Sequence, residues 1–415
     1  MAVQYERIKK TIAALAAYGT LPQGGTTRLS YTAEYLAAQA FLQREMLESG
    51  MLAEVDPIGN LIGTYVGRDP ELTAVMSGSH LDTVPAGGNF DGALGIVAAL
   101  ECVRSWQEEG YRPKRTVQVI ATIEEECTAF GMACFGVRVR GGEFKKQQPE
   151  SIVHLTGGSL AECLQAAGLP HSALQDAAVG FQDLAAFVEL HIEQGPVLES
   201  EQKQIGIVDS IVGIVNYELT IQGSQNHAGT TSMPLRHDPV VAAAEFITES
   251  TRQMMAQAPS ATLTYGAIQV FPGMQNVIAD RENLLIDLSD GSNEELLQDV
   301  VLLKRALESI ERKGFQTQLR QNDWLESVQM DPNVIRVIER HCEEKHLAYK
   351  HMNSGAGHDS MVFGKHFPTA MIFVPSIGGI SHNPAEATAV ADIQTGFELL
   401  CDVLKELSAQ TFLSW

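Results

Sequence analysis

The spacing of apolar positions changes repeatedly along the first half of the chain. Residues 32–48 carry them at helical spacing up to Gly50. The runs 60–66 and 74–78 predict strands, and 116–123 and 186–191 predict buried strands. Between them 92–109 is apolar on one face and stops at Gly110, which predicts a helix. Such alternation favours a mostly parallel, covered sheet, with ligands gathering outside the carboxyl ends of its strands. Near Gly213 the texture changes. Residues 214–221 alternate, with Val215, Tyr217, Leu219 and Ile221 on one side, as in a strand with one wet face. A helix over 239–255, strands over 262–271 and 276–288, a helix over 293–312 and a strand over 316–320 follow. This β-α-β-β-α-β order is the ferredoxin-like pattern of a compact inserted unit. From Pro332 helix and strand resume (334–346, 370–374), and a helix over 393–407 closes the pattern. Residues 1–19 have helical spacing with Glu6, Lys9 and Lys10 interspersed. Residues 140–185 are the least regular and are expected to form surface connections. The predicted fold class is α/β: a mixed, mostly parallel sheet domain, discontinuous over 1–212 and 325–415, interrupted by a ferredoxin-like α+β domain over 213–324.

Composition narrows the partners. The 415 residues exceed one ordinary core, in agreement with two domains. A net charge of -22 argues against nucleic acid and anionic membrane surfaces but does not identify a partner, because an acidic balance usually means only a soluble surface. No signal-peptide core and no bilayer-length apolar run are found. The six cysteines form no CxxC pair and are expected to be buried, reduced thiols, consistent with a cytoplasmic protein.

Four segments carry ligand-type side chains. In the first, His80 and Asp82 end an apolar run and Asp91 follows a glycine-rich loop. His80 is a borderline ligand, Asp91 can bridge two cations, and Asp82 can orient the imidazole of His80. In the second, Glu124, Glu125 and Glu126 follow a buried strand and repel one another unless a cation sits among them; the bland alternative is a solvated acidic turn. In the third, alternation puts Glu189, His191 and Glu193 on one strand face. The fourth, 379–386, places His382 in a loop fixed by glycines and Pro384. His227, in Asn226-His227-Ala228-Gly229, is either a turn histidine or a donor to developing negative charge. His358 is open between loop structure and support of a ligand. A GxSxG elbow, a GxxxxGK[ST] loop and an HExxH helix are all missing from the sequence.

In this order the segments resemble the M20 peptidase family of dinuclear-metal amidohydrolases. The likeness is greatest to its branch of N-carbamoyl-L-amino acid hydrolases, allantoate amidohydrolases and β-ureidopropionases. It rests on Gly78-Ser79-His80-Leu81-Asp82-Thr83, Gly88-Asn89-Phe90-Asp91-Gly92, His191-Ile192-Glu193-Gln194-Gly195, His227-Ala228-Gly229, Ser354-Gly355-Ala356-Gly357-His358-Asp359 and Ser381-His382-Asn383-Pro384-Ala385-Glu386. Peptidase members carry a carboxylate where this chain has His191; the His-Ile-Glu-Gln-Gly form belongs to the carbamoyl-cleaving branch. The resemblance implies two divalent cations (Zn, Mn, Co or Ni) bridged by Asp91. One is completed by His80 and His191, the other by Glu126 and His382, with Glu125 as general base and Asp82 in support. It also implies that Gln194, Asn276 and Gly357 contact substrate, that the inserted domain is a lid and dimerisation surface, and that His227 acts in the partner's site of a homodimer. The partner that the resemblance implies is a small-molecule substrate: N-carbamoyl-L-amino acids lead, allantoate is second, and an ordinary amide or dipeptide third. A non-catalytic metal-containing binding protein is the contrasting reading, against which the intact Glu125 counts.

Two departures from the family pattern stand out. After Glu125-Glu126 the family's glycine and arginine are replaced in the run Cys127-Thr128-Ala129-Phe130. At the end of strand 276–288, Ser289 occupies the place of an arginine that binds the substrate carboxylate in the branch, a bidentate contact that serine cannot make.

Overall fold

The computed structural model describes residues 2–154 and 157–410. Met1, Leu155, Thr156 and residues 411–415, which belong to the expected N-terminal helix, the irregular segment and the closing part of the discontinuous domain, lie outside the described residues. The chain divides into two compact units, one of residues 1–210 and 329–415 and the other Ile211–Val328.

The larger unit is built on a mixed sheet. Its strands run in the order Leu52–Val55, Leu61–Tyr65, Val117–Thr122, Ala74–His80, Leu184–Ile192, Thr369–Val374 and Ile205–Ile211, with Tyr349–Ser354 paired to the last of these. The four central strands, from Val117–Thr122 to Thr369–Val374, are mutually parallel, and the flanking ones are antiparallel. Parallel strands covered on both faces read as apolar runs, and Ala74–His80 and Thr369–Val374 are buried at every position. Register sets His80 beside Thr122 and His191 beside Phe373. Their carboxyl ends therefore open at one edge of the sheet. Helix Ala93–Glu108 packs on the sheet with Leu94, Ile96, Val97, Leu100 and Val103 fully buried. Gly92 precedes it with φ 64°, and a Cβ there would lie 2.4 Å from the His80 carbonyl oxygen and 2.5 Å from its Nδ1. Only glycine fits, and it brings Asp91 against His80.

Residues 140–185 are not mere surface connections. Helices Leu160–Ala166 and Ala173–Asp176 lie there, and Phe144, Ile152, Leu160, Leu164, Ala173 and Leu174 join the main core. The readable signal was the capping box of Ser159 and Glu162.

The smaller unit has the β-α-β-β-α-β order, Gly213–Gln222, Pro239–Gln257, Thr262–Phe271, Arg281–Asp290, Asn293–Glu311 and Gln316–Leu325. Its antiparallel sheet runs Gln316–Leu325, Gly213–Gln222, Arg281–Asp290, Thr262–Phe271. Val215, Tyr217, Leu219 and Ile221 are buried in the core it forms with its two helices. The single strand expected over 276–288 is two: Val277–Ile278 pairs with Asn226–His227, and Arg281–Asp290 joins the sheet. No helix among the described residues is long and apolar enough to cross a membrane.

Candidate metal centre

Asp91 is the hub of the carboxyl edge. Its Oδ1 lies 3.2 Å from His80 Nε2 and 3.2 Å from His191 Nε2. Its Oδ2 lies 3.2 Å from His382 Nε2, which is 3.4 Å from Glu126 Oε2. Ligand atoms of His80, Asp91 and His191 lie within 4.8 Å of one another, and so do those of Asp91, Glu126 and His382. One carboxylate thus faces two donor groups with different oxygens.

The imidazoles are held for this. His80 Nδ1 sits 3.0 Å from the Asp82 carbonyl and His191 Nδ1 2.9 Å from the Ile192 carbonyl. A carbonyl only accepts, so each Nδ1 carries a proton and each Nε2 is the nitrogen turned to Asp91. With the rings neutral, Nε2 lone pairs meet the Asp91 carboxylate, an arrangement that a cation between them relieves. Asp91 Oδ1, Glu126 Oε1 and Gln194 Oε1 are buried without a hydrogen-bond partner. Buried polar atoms are rarely left so unless something else occupies the gap. The charges agree. Asp82, Asp91, Glu124, Glu125, Glu189 and Asp359 are buried, and the Glu126 side chain is 7% exposed. Burial would lower the affinity of His80 for a proton, yet Glu125, Asp91 and Glu126 drive it well above the ordinary histidine value. Hydrogen bonding to Asp91 lifts His382 to about 9. Burial and then Asp91 raise Glu126 to about 7. A nitrogen and oxygen donor set in a strongly negative field fits divalent cations.

The acidic triplet is no solvated turn. Glu124 points back into its own loop, accepting from Ala129 N (2.7 Å), Phe130 N (2.8 Å) and Ser30 Oγ (2.6 Å). Glu125 faces the site, its Oε2 3.9 Å from His80 Nε2, and burial pushes it well above the usual carboxylate range. The role of Asp82 differs from the expected one. Its carbonyl orients His80, while its carboxylate accepts the backbone N–H of Glu125 (3.3 Å) and Glu126 (3.2 Å).

Gln194 adopts φ 58° and donates from Nε2 to Asp91 Oδ2 at 2.9 Å. Glu386 and Ser381, quoted in the motif without a role, shape the hub: Glu386 Oε1 accepts from Phe90 N and Asp91 N, and Ser381 Oγ donates to Asp91 Oδ2 at 3.2 Å. Nothing in their spacing announces this, since Glu386 lies 295 residues from Asp91. Gly357 is half-exposed beside buried His358, whose ring meets that of His191 edge-on at 4.6 Å. In the smaller unit His227 is exposed, and its Nδ1 accepts from Gly229 N (3.0 Å) and Thr230 N (3.3 Å), which leaves Nε2 to carry the proton. Asn276 is exposed, and its carbonyl accepts from Ala228 N at 3.0 Å.

Residues 76–406 match the model of peptidase family M20/M25/M40. The chain belongs to this family. It is 36% identical over 411 residues to the allantoate amidohydrolase of Escherichia coli, with 98% of each chain covered. It is 37% identical over 409 residues to the N-carbamoyl-L-amino-acid amidohydrolase of Paenarthrobacter aurescens, covering 97% of this chain and 98% of the relative. The crystal structure of an amidase of the hydantoinase/carbamoylase family from Burkholderia vietnamiensis superposes with a TM-score of 0.92 at 31% identity, with 98% of both chains covered. This M20-family member is a hydrolase acting on amide bonds.

Proposed function

We propose that the chain is a dinuclear-metal hydrolase of a linear C–N bond in an N-carbamoyl or ureido compound. N-carbamoyl-L-amino acids are the leading substrates and allantoate the second. The observation that carries the reading is the division of the Asp91 carboxylate, one oxygen toward His80 and His191 and the other toward the His382–Glu126 pair. His80, Asp91, His191, Glu126 and His382 would hold divalent cations, which would supply Lewis acidity toward the scissile carbonyl and lower the pKa of an attacking water. Glu125 takes the proton of that water and returns it to the leaving nitrogen. Gln194, Asn276 and Gly357 position the substrate, and His227 donates from Nε2 to the oxygen on which negative charge develops.

The resemblance further implies a homodimer in which His227 serves the partner's site, the smaller unit acting as lid and dimerisation surface. The strand Thr262–Phe271 supports this. It forms one edge of its sheet, contains no charged residue and no proline, and exposes Ile268. A long uncharged edge is ordinarily protected by pairing.

The decisive experiment is ammonia release by protein stripped with a chelator and reloaded with Zn²⁺ or Mn²⁺. N-carbamoyl-L-amino acids and allantoate are offered side by side. Metal-restored turnover of either is expected. No ammonia from either, with two metals bound per chain, would rule the reading out.

A further inference from the structure

A second layer of polar groups lies beneath the ligands, and the mechanism makes no use of it. Glu189 is fully buried on strand Leu184–Ile192, two residues before His191 and so on the same face. Its Oε1 accepts from Ser79 Oγ at 2.7 Å and its Oε2 from Ser360 Oγ at 2.6 Å. Ser79 immediately precedes His80, and Ser360 follows Asp359 and His358. Asp359 is buried too, its Oδ1 without a partner and its other oxygen held by the Thr122 hydroxyl. Among the described residues no lysine or arginine pairs with Glu189. Both of its oxygens accept from hydroxyls, the pattern of a carboxylate rather than of a carboxylic acid, which would itself donate, and an uncompensated buried carboxylate is costly.

Atoms of Glu189, His191 and His358 come within 4.8 Å of one another. This group is not a separate cation site. His191 Nε2 is turned to Asp91 and its Nδ1 to the Ile192 carbonyl. The closeness instead brings a fixed negative charge up to a metal ligand.

We propose that Glu189 is an electrostatic positioning residue of the metal centre. Clamped by Ser79 and Ser360, its charge strengthens cation binding at His80, Asp91 and His191. Charges a few ångströms apart in a water-excluded interior interact far more strongly than at the surface. Groups behind the ligands commonly tune metal affinity 10–100-fold. The inference rests on the dinuclear reading, and its rival is a purely mechanical role, with Glu189 tying three chain segments together.

The test is Zn²⁺ titration against a chromophoric chelator, with melting curves of the stripped proteins. Glu189→Gln keeps the size of the side chain and removes the charge. At least one of its two Zn²⁺ dissociation constants is expected to rise tenfold or more. A change below threefold in both overturns the inference, whatever the melting temperature does. Should Glu189→Gln not fold, Glu189→Asp decides. It keeps the charge and disturbs the clamp, so affinity within threefold of wild type supports the electrostatic role and a tenfold loss overturns it. Wild-type protein that takes up no Zn²⁺ would sink the dinuclear reading instead, which separates the two failures.

Discussion

Glu124, Glu125 and Glu126 are consecutive, yet the backbone sends them to different tasks. Positive φ at Glu124 (59°) and Cys127 (50°) turns the chain sharply. Glu124 caps its own loop, while Asp82 grips the amides of Glu125 and Glu126. Glu125→Gln should therefore lower kcat by about 10²–10⁴-fold, the usual worth of a general base, with metal content by elemental analysis unchanged. Turnover that survives the change would move the base elsewhere. Ser289 tests specificity. Its hydroxyl lies 2.6 Å from that of Thr262, a neutral contact at the position where the family resemblance leads one to expect an arginine. Ser289→Arg should sharply lower KM for N-carbamoyl amino acids; an unchanged KM would count against weakened carboxylate selectivity. The side chains that gather around Asp91 were legible in the sequence because the family resemblance names His80, Glu126, His191 and His382 together with it. Spacing alone did not say which of the three adjacent glutamates turn inward, because that depends on left-handed backbone and on Asp82, 43 residues away from Glu125; the resemblance singled out Glu125 and Glu126, the two that face Asp91 and His80. The share of Glu386 in holding Asp91 was hidden for the same reason.

The four central parallel strands were legible because they are clean apolar runs, while the flanking strands Leu52–Val55, Ile205–Ile211 and Tyr349–Ser354 and the segment 140–185 were not. Its short helices bury scattered residues whose spacing fits no single period. Two element-scale outcomes follow. Gly92 closes the turn between Asp91 and helix Ala93–Glu108 against His80. Gly92→Ala should lower the melting temperature and leave fewer than two Zn²⁺ per chain by titration, since strained φ and a Cβ clash must displace His80 or Asp91. Full metal occupancy would show that the turn relaxes elsewhere. In the smaller unit, Asp299 of helix Asn293–Glu311 is buried near Asp290, with Oδ2 unpartnered. Burial and then Asp290 raise Asp299 to about 7. A carboxyl with a raised folded-state pKa binds its proton more tightly in the native state, so its stabilisation is present at low pH. It is lost as pH rises from the unfolded value near 4 through about 7. Asp299→Asn mimics the protonated form. Its melting temperature should gain on wild type as pH goes from 5 to 8, and a constant gap across that range would refute the coupling.

At the scale of the whole molecule, assembly decides whether one chain suffices for catalysis. The net charge of -22 makes random association unfavourable, so a dimer needs a specific surface. The edge strand Thr262–Phe271 is the part of the smaller unit most suited to pair with its own copy, because a two-fold axis would bring identical edges together antiparallel. Exposed Ile268 on that strand gives a handle: Ile268→Lys should shift the mass measured by light scattering from dimer to monomer. The stronger test is complementation. Glu125→Gln lacks the proposed base, and His227→Ala lacks the donor proposed to act across the dimer; each should be nearly inactive alone. When equal amounts are mixed and allowed to exchange subunits, half the dimers are mixed, and each of these holds one site with both residues intact. Activity should recover to about a quarter of wild type if His227 serves the partner's site. If His227 serves its own chain, no site in the mixture holds both residues and none returns. A recovery that also disappears when both chains carry Ile268→Lys would tie the catalytic exchange to that edge strand.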